Sequence, residues 1–552
     1  MSPPRPLPAP AAVNLSVPAY HPEPTLAGNC RQILTPACCS EWSADTFPWS
    51  NRIQQLNQLV FGNQDFRPCQ KEVISAVLSS RNVFVSMPTG SGKSLLYQLS
   101  ALASPGLTVV VMPLLALIKD QLDWLRSKSL PAQGLGGLQN IDEQACVYQE
   151  LDKNNVQILL VSPEKLQTDH LLELLGRKYL EGRVDRLVVD EAHCISTWGP
   201  DFRADYLKLS QFMEKFPLLP VLCLTSTAPE KVREDIITRL HLSNPLCFAT
   251  SLNRPNLTYQ VMPRPDNYKA TIAHFLQERP GQSGIVYVLA RAESEELAKT
   301  LRRQYRLSAE AYHGSLPVEE RKSVQERWSR GEVLVIVATI AFGLGINKRD
   351  VRFVVHASLP KSLNDYYQES GRAGRDGAAS TCLLLYSYTD KSRLDYLLQQ
   401  GRSGDLVSAY RELSAVVGYC ENRGTCRRQI LLSRLGEVLP REACEGHCDN
   451  CQRGPSISED VSDTVKVVLS TVTGSFNYTL LQLVQLLLGS SPVHQDHPAY
   501  GTLSKMGTVK LRRIVNLMCA KGVLEHLPGP GGVVRYTVLR PGSQPLYPLH
   551  LE

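Results

Sequence analysis

No apolar run in this 552-residue chain is long enough to cross a membrane. The longest, Leu107 to Ile118, is broken by Pro113 and falls well short of the ~20 residues a span needs. The chain opens Met1-Ser-Pro-Pro-Arg5, without the basic segment and apolar stretch of a secretory leader. These absences predict an intracellular protein with no membrane partner. An excess of charge of one sign is also lacking. Lys and Arg exceed Asp and Glu by only six, which suits a polyanionic partner but does not by itself establish one. No basic cluster of the kind that addresses a chain to the nucleus stands out. The cysteines do not read as a disulfide framework either, since Cys223, Cys247 and Cys382 stand alone inside apolar segments and read as reduced core residues. What remains is a globular composition, 43% hydrophobic and 20% charged, in a chain long enough for roughly three to four domains.

Residues 1–45 are rich in Pro and Ala, show no sustained period, and are expected to form a disordered arm. From 46 to 250, short β-branched runs (Asn82–Met87, Leu107–Met112, Val156–Val161, Arg186–Val189, Val221–Leu224) alternate with amphipathic helical segments, predicting a parallel sheet flanked by helices. The pattern restarts over 251–400 with Ser283–Val288, Val333–Ala338, Val351–His356 and Ser380–Tyr386, predicting a second α/β domain and a cleft between the two. A helical module with clustered cysteines follows over 401–454. Residues 455–552 read as a winged helix, with helices at Val461–Thr471, Thr479–Leu488 and Thr508–Lys521 and a hairpin about Pro528–Gly532.

The segment Pro88-Thr89-Gly90-Ser91-Gly92-Lys93-Ser94 follows an apolar strand and opens a helix at Leu95, the context a phosphate-binding loop needs. Amides from Gly90 to Lys93 can wrap anionic oxygens, Lys93 can reach the β and γ phosphates of ATP, and the Ser94 hydroxyl can ligate Mg2+. Met87 stands where the loop pattern has its first glycine. The strand Arg186–Val189 ends in Asp190-Glu191-Ala192-His193, which places two carboxylates at the carboxyl edge of a parallel sheet. Asp190 is suited to hold Mg2+ through water and Glu191 to polarise the attacking water. Gln368-Glu-Ser-Gly-Arg372-Ala-Gly-Arg375 in the second domain offers Gln368 and two arginines three residues apart, aimed across the cleft as transition-state fingers. Surface arginines are the alternative.

Phe66-Arg67-Pro-Cys-Gln70, Pro113–Gln121, Thr225-Ser-Thr-Ala228, Asn253-Arg-Pro-Asn256 and Tyr366–Gly377, together with these motifs, make the chain resemble a superfamily-two helicase of the RecQ family from about Phe47 onward. The resemblance implies two RecA-like domains, a zinc-binding module and a winged helix. It implies that Gln70 reads the adenine edge and that Arg67 supports the nucleotide site. The segment Cys194–Tyr206 resembles the family's aromatic-rich loop, so Trp198, Phe202 and Arg203 are expected on DNA bases and phosphate, with core packing the alternative for Trp198. Cys69, Pro200, Ser226, Leu344 and Asn347 depart from the family pattern, which predicts weaker activity than is typical.

Cys426, Cys444, Cys448 and Cys451 give C-x17-C-x3-C-x2-C, a spacing suited to a tetrahedral structural Zn2+, with Cys420 and His447 as competing ligands. In the last domain Leu511, Ile514, Val515 and Met518 form a buried stripe that leaves Lys510, Arg512 and Arg513 mostly exposed, as a DNA-docking helix or as a merely solvated face. The hairpin tip carries no aromatic residue, so a stacking wedge is not expected there. Phe47-Pro, Ser162-Pro-Glu-Lys165 and His356–Lys361 most resemble Bloom-syndrome-type helicases. That resemblance implies a nuclear enzyme moving 3′-to-5′ on single-stranded DNA, acting on forked and recombination-intermediate DNA in replication, repair and recombination, with a type I topoisomerase and recombination proteins as partners. The competing functions are a DNA-stimulated ATPase that translocates or anneals with weak unwinding, and a nucleic-acid-binding scaffold with a vestigial site.

Overall fold

The structure is a computed structural model that describes residues 33–34, 40–137, 139–196, 204–226, 228–343, 348–400, 406–454, 458–474, 476–492, 494–529, 537–544 and 549–551. Two parallel sheets form its centre. The first contains β1 (Ile33–Leu34), β2 (Val83–Ser86), β3 (Leu107–Val111), β4 (Ala132–Leu135), β5 (Ile158–Val161), β6 (Val184–Val189), β7 (Val221–Thr225) and β8 (Leu246–Ala249), in the order β1-β8-β2-β7-β6-β3-β5-β4. Helices cover both faces, so its central strands are continuous apolar runs rather than alternating ones. In β3 (Leu-Thr-Val-Val-Val) and β5 (Ile-Leu-Leu-Val) every residue is buried.

The second sheet contains β9 (Leu257–Pro263), β10 (Ser283–Tyr287), β11 (Ala309–Tyr312), β12 (Val335–Ala338), β13 (Val351–His356) and β14 (Ser380–Tyr386), in the order β11-β12-β10-β13-β14-β9. Gly284 is required where β10 passes β13, because a Cβ there would stand 1.9 Å from the Phe353 ring. Gly284→Ala is therefore expected to cost about 1–3 kcal/mol by overpacking, read as a lower urea midpoint. An unchanged midpoint would mean that the ring moves aside freely.

The N-terminal arm is not wholly outside the fold: Ile33 and Leu34 pair in parallel with Cys247 and Phe248 on the sheet edge. Trp42 stacks on Phe47 and Phe47 on Trp49, and Lys71 holds the Ser43 carbonyl at 2.6 Å. Edge pairing and ring stacking hold these described residues, which composition alone would leave loose. The helical cysteine module packs directly on the second sheet. Leu413, Val416, Leu431, Cys426 and Cys448 share one hydrophobic core with Tyr259, Tyr366 and Trp328.

The winged helix has helices Ser462–Val472, Leu480–Leu488 and Thr508–Ala520 and the antiparallel pair Leu524–Pro528 with Thr537–Pro541. Thr479 and Gln482 close a capping box at the start of the second helix. Most of the hairpin tip lies outside the described residues. No described helix is long and apolar enough to cross a membrane.

Candidate functional site

Parallel strands present their following loops at one edge, and β2, β6 and β7 lie side by side in the order β2-β7-β6. The loop after β2 therefore faces the carboxylates after β6. Gly90 and Gly92 adopt left-handed φ values of +85° and +89°, which turn the loop tightly enough to open a concave row of amides before the helix Lys93–Ala103. Gln70 braces this loop: its Nε2 donates to Ser91 O at 3.1 Å, while its Oε1 accepts from the Arg67 amide at 2.8 Å. A Cβ on Gly92 would meet that Nε2 at 2.5 Å, so the close approach needs the glycine. Arg67 Nη1 donates to Gly90 O at 2.5 Å. Cys69, one of the departures from the family pattern, is buried at φ +65°, a backbone that favours glycine.

Lys93 Nζ rests on the loop's own carbonyls, Met87 O at 2.9 Å and Pro88 O at 3.4 Å. Burial lowers its pKa, against the pull of Glu191 and Asp190. Burial, reinforced by Glu191 and opposed by Lys93, pushes the Asp190 carboxyl up to about 7. Two adjacent half-buried carboxylates thus lack enough positive charge, a donor set that suits a divalent cation. Glu191 is held at φ +50° and its Oε2 has no hydrogen-bond partner, although His193 Nδ1 stands 3.4 Å away. His193 also meets Thr225 Oγ1 at 2.9 Å, joining the loop after β6 to the end of β7.

The second sheet supplies the other wall. Gln368, Arg372 and Arg375 line the same 320 Å³ cavity as Arg67, Gln70, Thr89, Gly90, Gly92, Lys93, Ser94, Asp190 and Glu191. Arg375 packs on the phosphate-binding loop so closely that a Cβ on Gly90 would stand 3.2 Å from its Cγ. Burial first, then Arg372 and Arg254, lowers the Arg375 guanidinium to about 9, so the pocket is short of negative charge around it. Arg372 donates to Gly343 O. Ser91 does not line the cavity and its buried Oγ has no hydrogen-bond partner.

Phe61, which stands in the family's upstream motif, and Trp124, which no motif marks, stack at 5.8 Å to form an apolar wall. No sequence motif assigns a role to Arg349, which also lines the cavity, or to Arg254, which reaches the loop from the connector side. Only the position of Arg254 within Asn253-Arg-Pro-Asn256 hinted at it. Trp198, Phe202 and Arg203 lie outside the described residues, as do Pro200, Leu344 and Asn347.

The four cysteines converge. Their sulfurs all lie within 4.8 Å of one another, and Cys426 and Cys448 are 3.9 Å apart. Tetrahedral Zn2+ with ~2.3 Å bonds needs sulfurs about 3.8 Å apart, so the set fits. Cys420 and His447 are not part of the cluster, and none of the twelve described cysteines forms a disulfide.

The basic residues of the last long helix are partly engaged within the chain. Arg513 donates to the Glu421 carbonyl at 3.1 Å, Arg512 lies over the Tyr388 ring at 5.6 Å, and Lys510 pairs with Glu459 at 2.6 Å. The helix Thr508–Ala520 docks against Leu406–Glu421, where Gly418 and Ala520 allow close approach and Asn516 binds both Glu421 oxygens. Burying the apolar stripe of the helix brings its flanking arginines against the core.

Three family models match the chain: DEAD/DEAH box helicase over residues 67–236, helicase conserved C-terminal domain over 267–377, and RecQ zinc-binding over 388–452. The ATP-dependent DNA helicase Q-like 4B of Arabidopsis thaliana is 41% identical over 82% of this chain and 41% of its own length. The RecQ-like DNA helicase BLM of Xenopus laevis is 40% identical over 80% of this chain and 35% of its own. The ATP-dependent DNA helicase Q1 of Pongo abelii is 37% identical over 81% of this chain and 70% of its own. The chain thus spans about two fifths of the longer relatives and more than two thirds of the shorter one. In fold it is similar to Mss116p bound to ssRNA and AMP-PNP, with a TM-score of 0.51 at 17% identity over 77% of this chain and 96% of that one. With the zinc-binding model matched and the Q1 relative aligned over most of its length, the chain belongs to the RecQ family of helicases.

Proposed function

We propose that this chain is an ATP-dependent DNA helicase motor. The observation that carries the reading is the composite cavity, to which one domain contributes Lys93, Asp190 and Glu191 and the other Gln368, Arg372 and Arg375. Lys93 exchanges the carbonyls of Met87 and Pro88 for phosphate oxygens. Gln70 keeps its hold on Ser91 O and the Arg67 amide, while the N–H that leans on Gly92 O at 3.4 Å and the second lone pair of Oε1 turn to the adenine edge. Glu191 orients the water, and Arg372 and Arg375 neutralise the charge that develops in the transition state. Mg2+ held by Ser94 and Asp190 would add positive charge at the β and γ oxygens. Because the site exists only when both walls meet, nucleotide closes the domains and hydrolysis lets them part, which advances the enzyme along one strand. Family membership supports single-stranded and forked DNA as substrate, 3′-to-5′ movement and work in repair and recombination in the nucleus. A type I topoisomerase is the partner that the Bloom-type resemblance suggests.

One observation favours a second reading, a translocase or strand annealer with weak unwinding: Arg512 and Arg513 are engaged with the core. Single-strand-stimulated ATPase measured beside displacement from a forked duplex separates the two. Hydrolysis with strand displacement is the expected result. Hydrolysis without displacement selects the second reading, and hydrolysis no faster than Lys93→Ala removes both.

A further inference from the structure

The connector between the two sheets, residues 250–256, runs from β8 to β9 and is held from outside. Glu437 of the cysteine module accepts from Ser251 Oγ at 2.5 Å and from the Leu252 amide at 2.6 Å. Arg428, 1% exposed at the start of the helix Arg427–Arg434, donates to Asn253 Oδ1 at 2.7 Å, Arg254 O at 2.6 Å, Pro255 O at 3.1 Å and Leu257 O. Its neighbour Arg427 is anchored on Asp449, next to Cys448, at 2.8 Å. The clamp on the connector is thus built onto the cysteine cluster.

From this clamped segment Arg254 turns its guanidinium toward the nucleotide cleft. Nη1 donates to Thr89 O at 3.2 Å in the first domain and to Gly371 O at 3.3 Å in the second. Nη2 donates to Ala373 O at 3.0 Å and Gly374 O at 2.7 Å. Asn256 secures the same turn through Gly374 O at 2.9 Å. The next residue is Arg375, which lies against Gly90, the residue after Thr89. Neither Arg254 nor Arg428 lines the cavity. One guanidinium therefore ties the carbonyls on both sides of the domain boundary that Arg375 crosses.

We propose that Arg254 is a positioning residue that seats Arg375 on the phosphate-binding loop, and that the cysteine module, through Arg428 and Glu437, holds the connector in the shape this requires. The inference rests on the reading of Arg375 as the transition-state arginine. It makes the metal module a determinant of hydrolysis without any contact with nucleotide. A lysine cannot replace Arg254, because a single ammonium lacks the planar fork that serves four carbonyls in two directions.

The test is a double-mutant cycle on the full chain loaded with zinc, reading kcat of the DNA-stimulated ATPase, affinity for a fluorescent ATP analogue, zinc content and thermal midpoint. Arg375→Ala is expected to lower kcat about a thousandfold. Arg254→Ala and Arg254→Lys are each expected to lower it roughly ten- to a hundredfold, as a misplacement of about 1 Å would, with analogue affinity within about threefold and zinc retained. In the double variant Arg254→Ala with Arg375→Ala, kcat should equal that of Arg375→Ala alone, because a positioning residue has nothing left to position. Multiplying losses would overturn the relay while leaving the finger reading intact. An inert Arg375→Ala would instead remove the finger reading and the relay with it. Arg428→Lys, provided it keeps its zinc and its thermal midpoint, should lower kcat at unchanged affinity. An unchanged kcat in that variant would overturn the module's part in the relay.

Discussion

Lys93→Ala should lower kcat/KM for ATP about ten-thousandfold, equivalent to roughly 5.5 kcal/mol, and abolish strand displacement. Removal of one preorganised donor from a buried oxyanion site costs about 10²–10³ in rate. Lys93 adds to that a full, half-buried charge, which offsets the two carboxylates after β6. Without it, Asp190 and Glu191 repel an incoming triphosphate, so ground-state affinity falls along with the rate. Steady-state ATPase kinetics and analogue binding check both parts. A variant that retains more than about a tenth of wild-type kcat/KM would show that the phosphates bind elsewhere.

Cys448→Ser, or exhaustive chelation, should release stoichiometric zinc and melt the cysteine module. Structural zinc in small thiolate sites contributes ~10 kcal/mol or more, comparable to the whole stability of an ordinary domain. The damage should not stay local. Cys426 and Cys448 sit in the same core as Tyr259 and Tyr366 of the second sheet domain, and Tyr259 also meets Cys448 through a backbone bridge. Metal analysis with thermal unfolding is the measurement. Full metal content with an unshifted midpoint would rule out the four-thiolate site.

The parts of the molecule legible in its sequence are those whose chemistry is carried by neighbours along the chain. The loop from Pro88 to Ser94, the acidic pair at Asp190 and Glu191 and the run Gln368 to Arg375 each follow from a strand, a turn and a helix written in one stretch. β13 and β14 match their apolar runs residue for residue. Less legible are β4 (Ala-Gln-Gly-Leu) and β11 (Ala-Glu-Ala-Tyr), short strands with little intrinsic preference that exist because β5 and β12 offer them open edges. The pair Ile33–Leu34 belongs with them.

The long helix of the winged domain shows the limit differently. Its buried stripe was readable from the spacing of Leu511, Ile514, Val515 and Met518, yet the same spacing left Arg512 and Arg513 on what looked like a solvent face. Which surface covers a charged face depends on another domain, and here Glu421 and Tyr388 meet it.

By itself, then, the sequence determined the nucleotide loop, its carboxylates, the four thiols and the order of the domains, because each depends on spacing within a few residues or on local periodicity. Only the tertiary structure decided how Arg375 meets Gly90, that Arg254 joins both walls of the cleft, and that the cysteine module grips the connector between them. The contacts of Arg254 and Arg428 run from guanidinium groups to backbone carbonyls more than a hundred positions away. A carbonyl is the same in every residue, so no side-chain pattern announces which ones will be held.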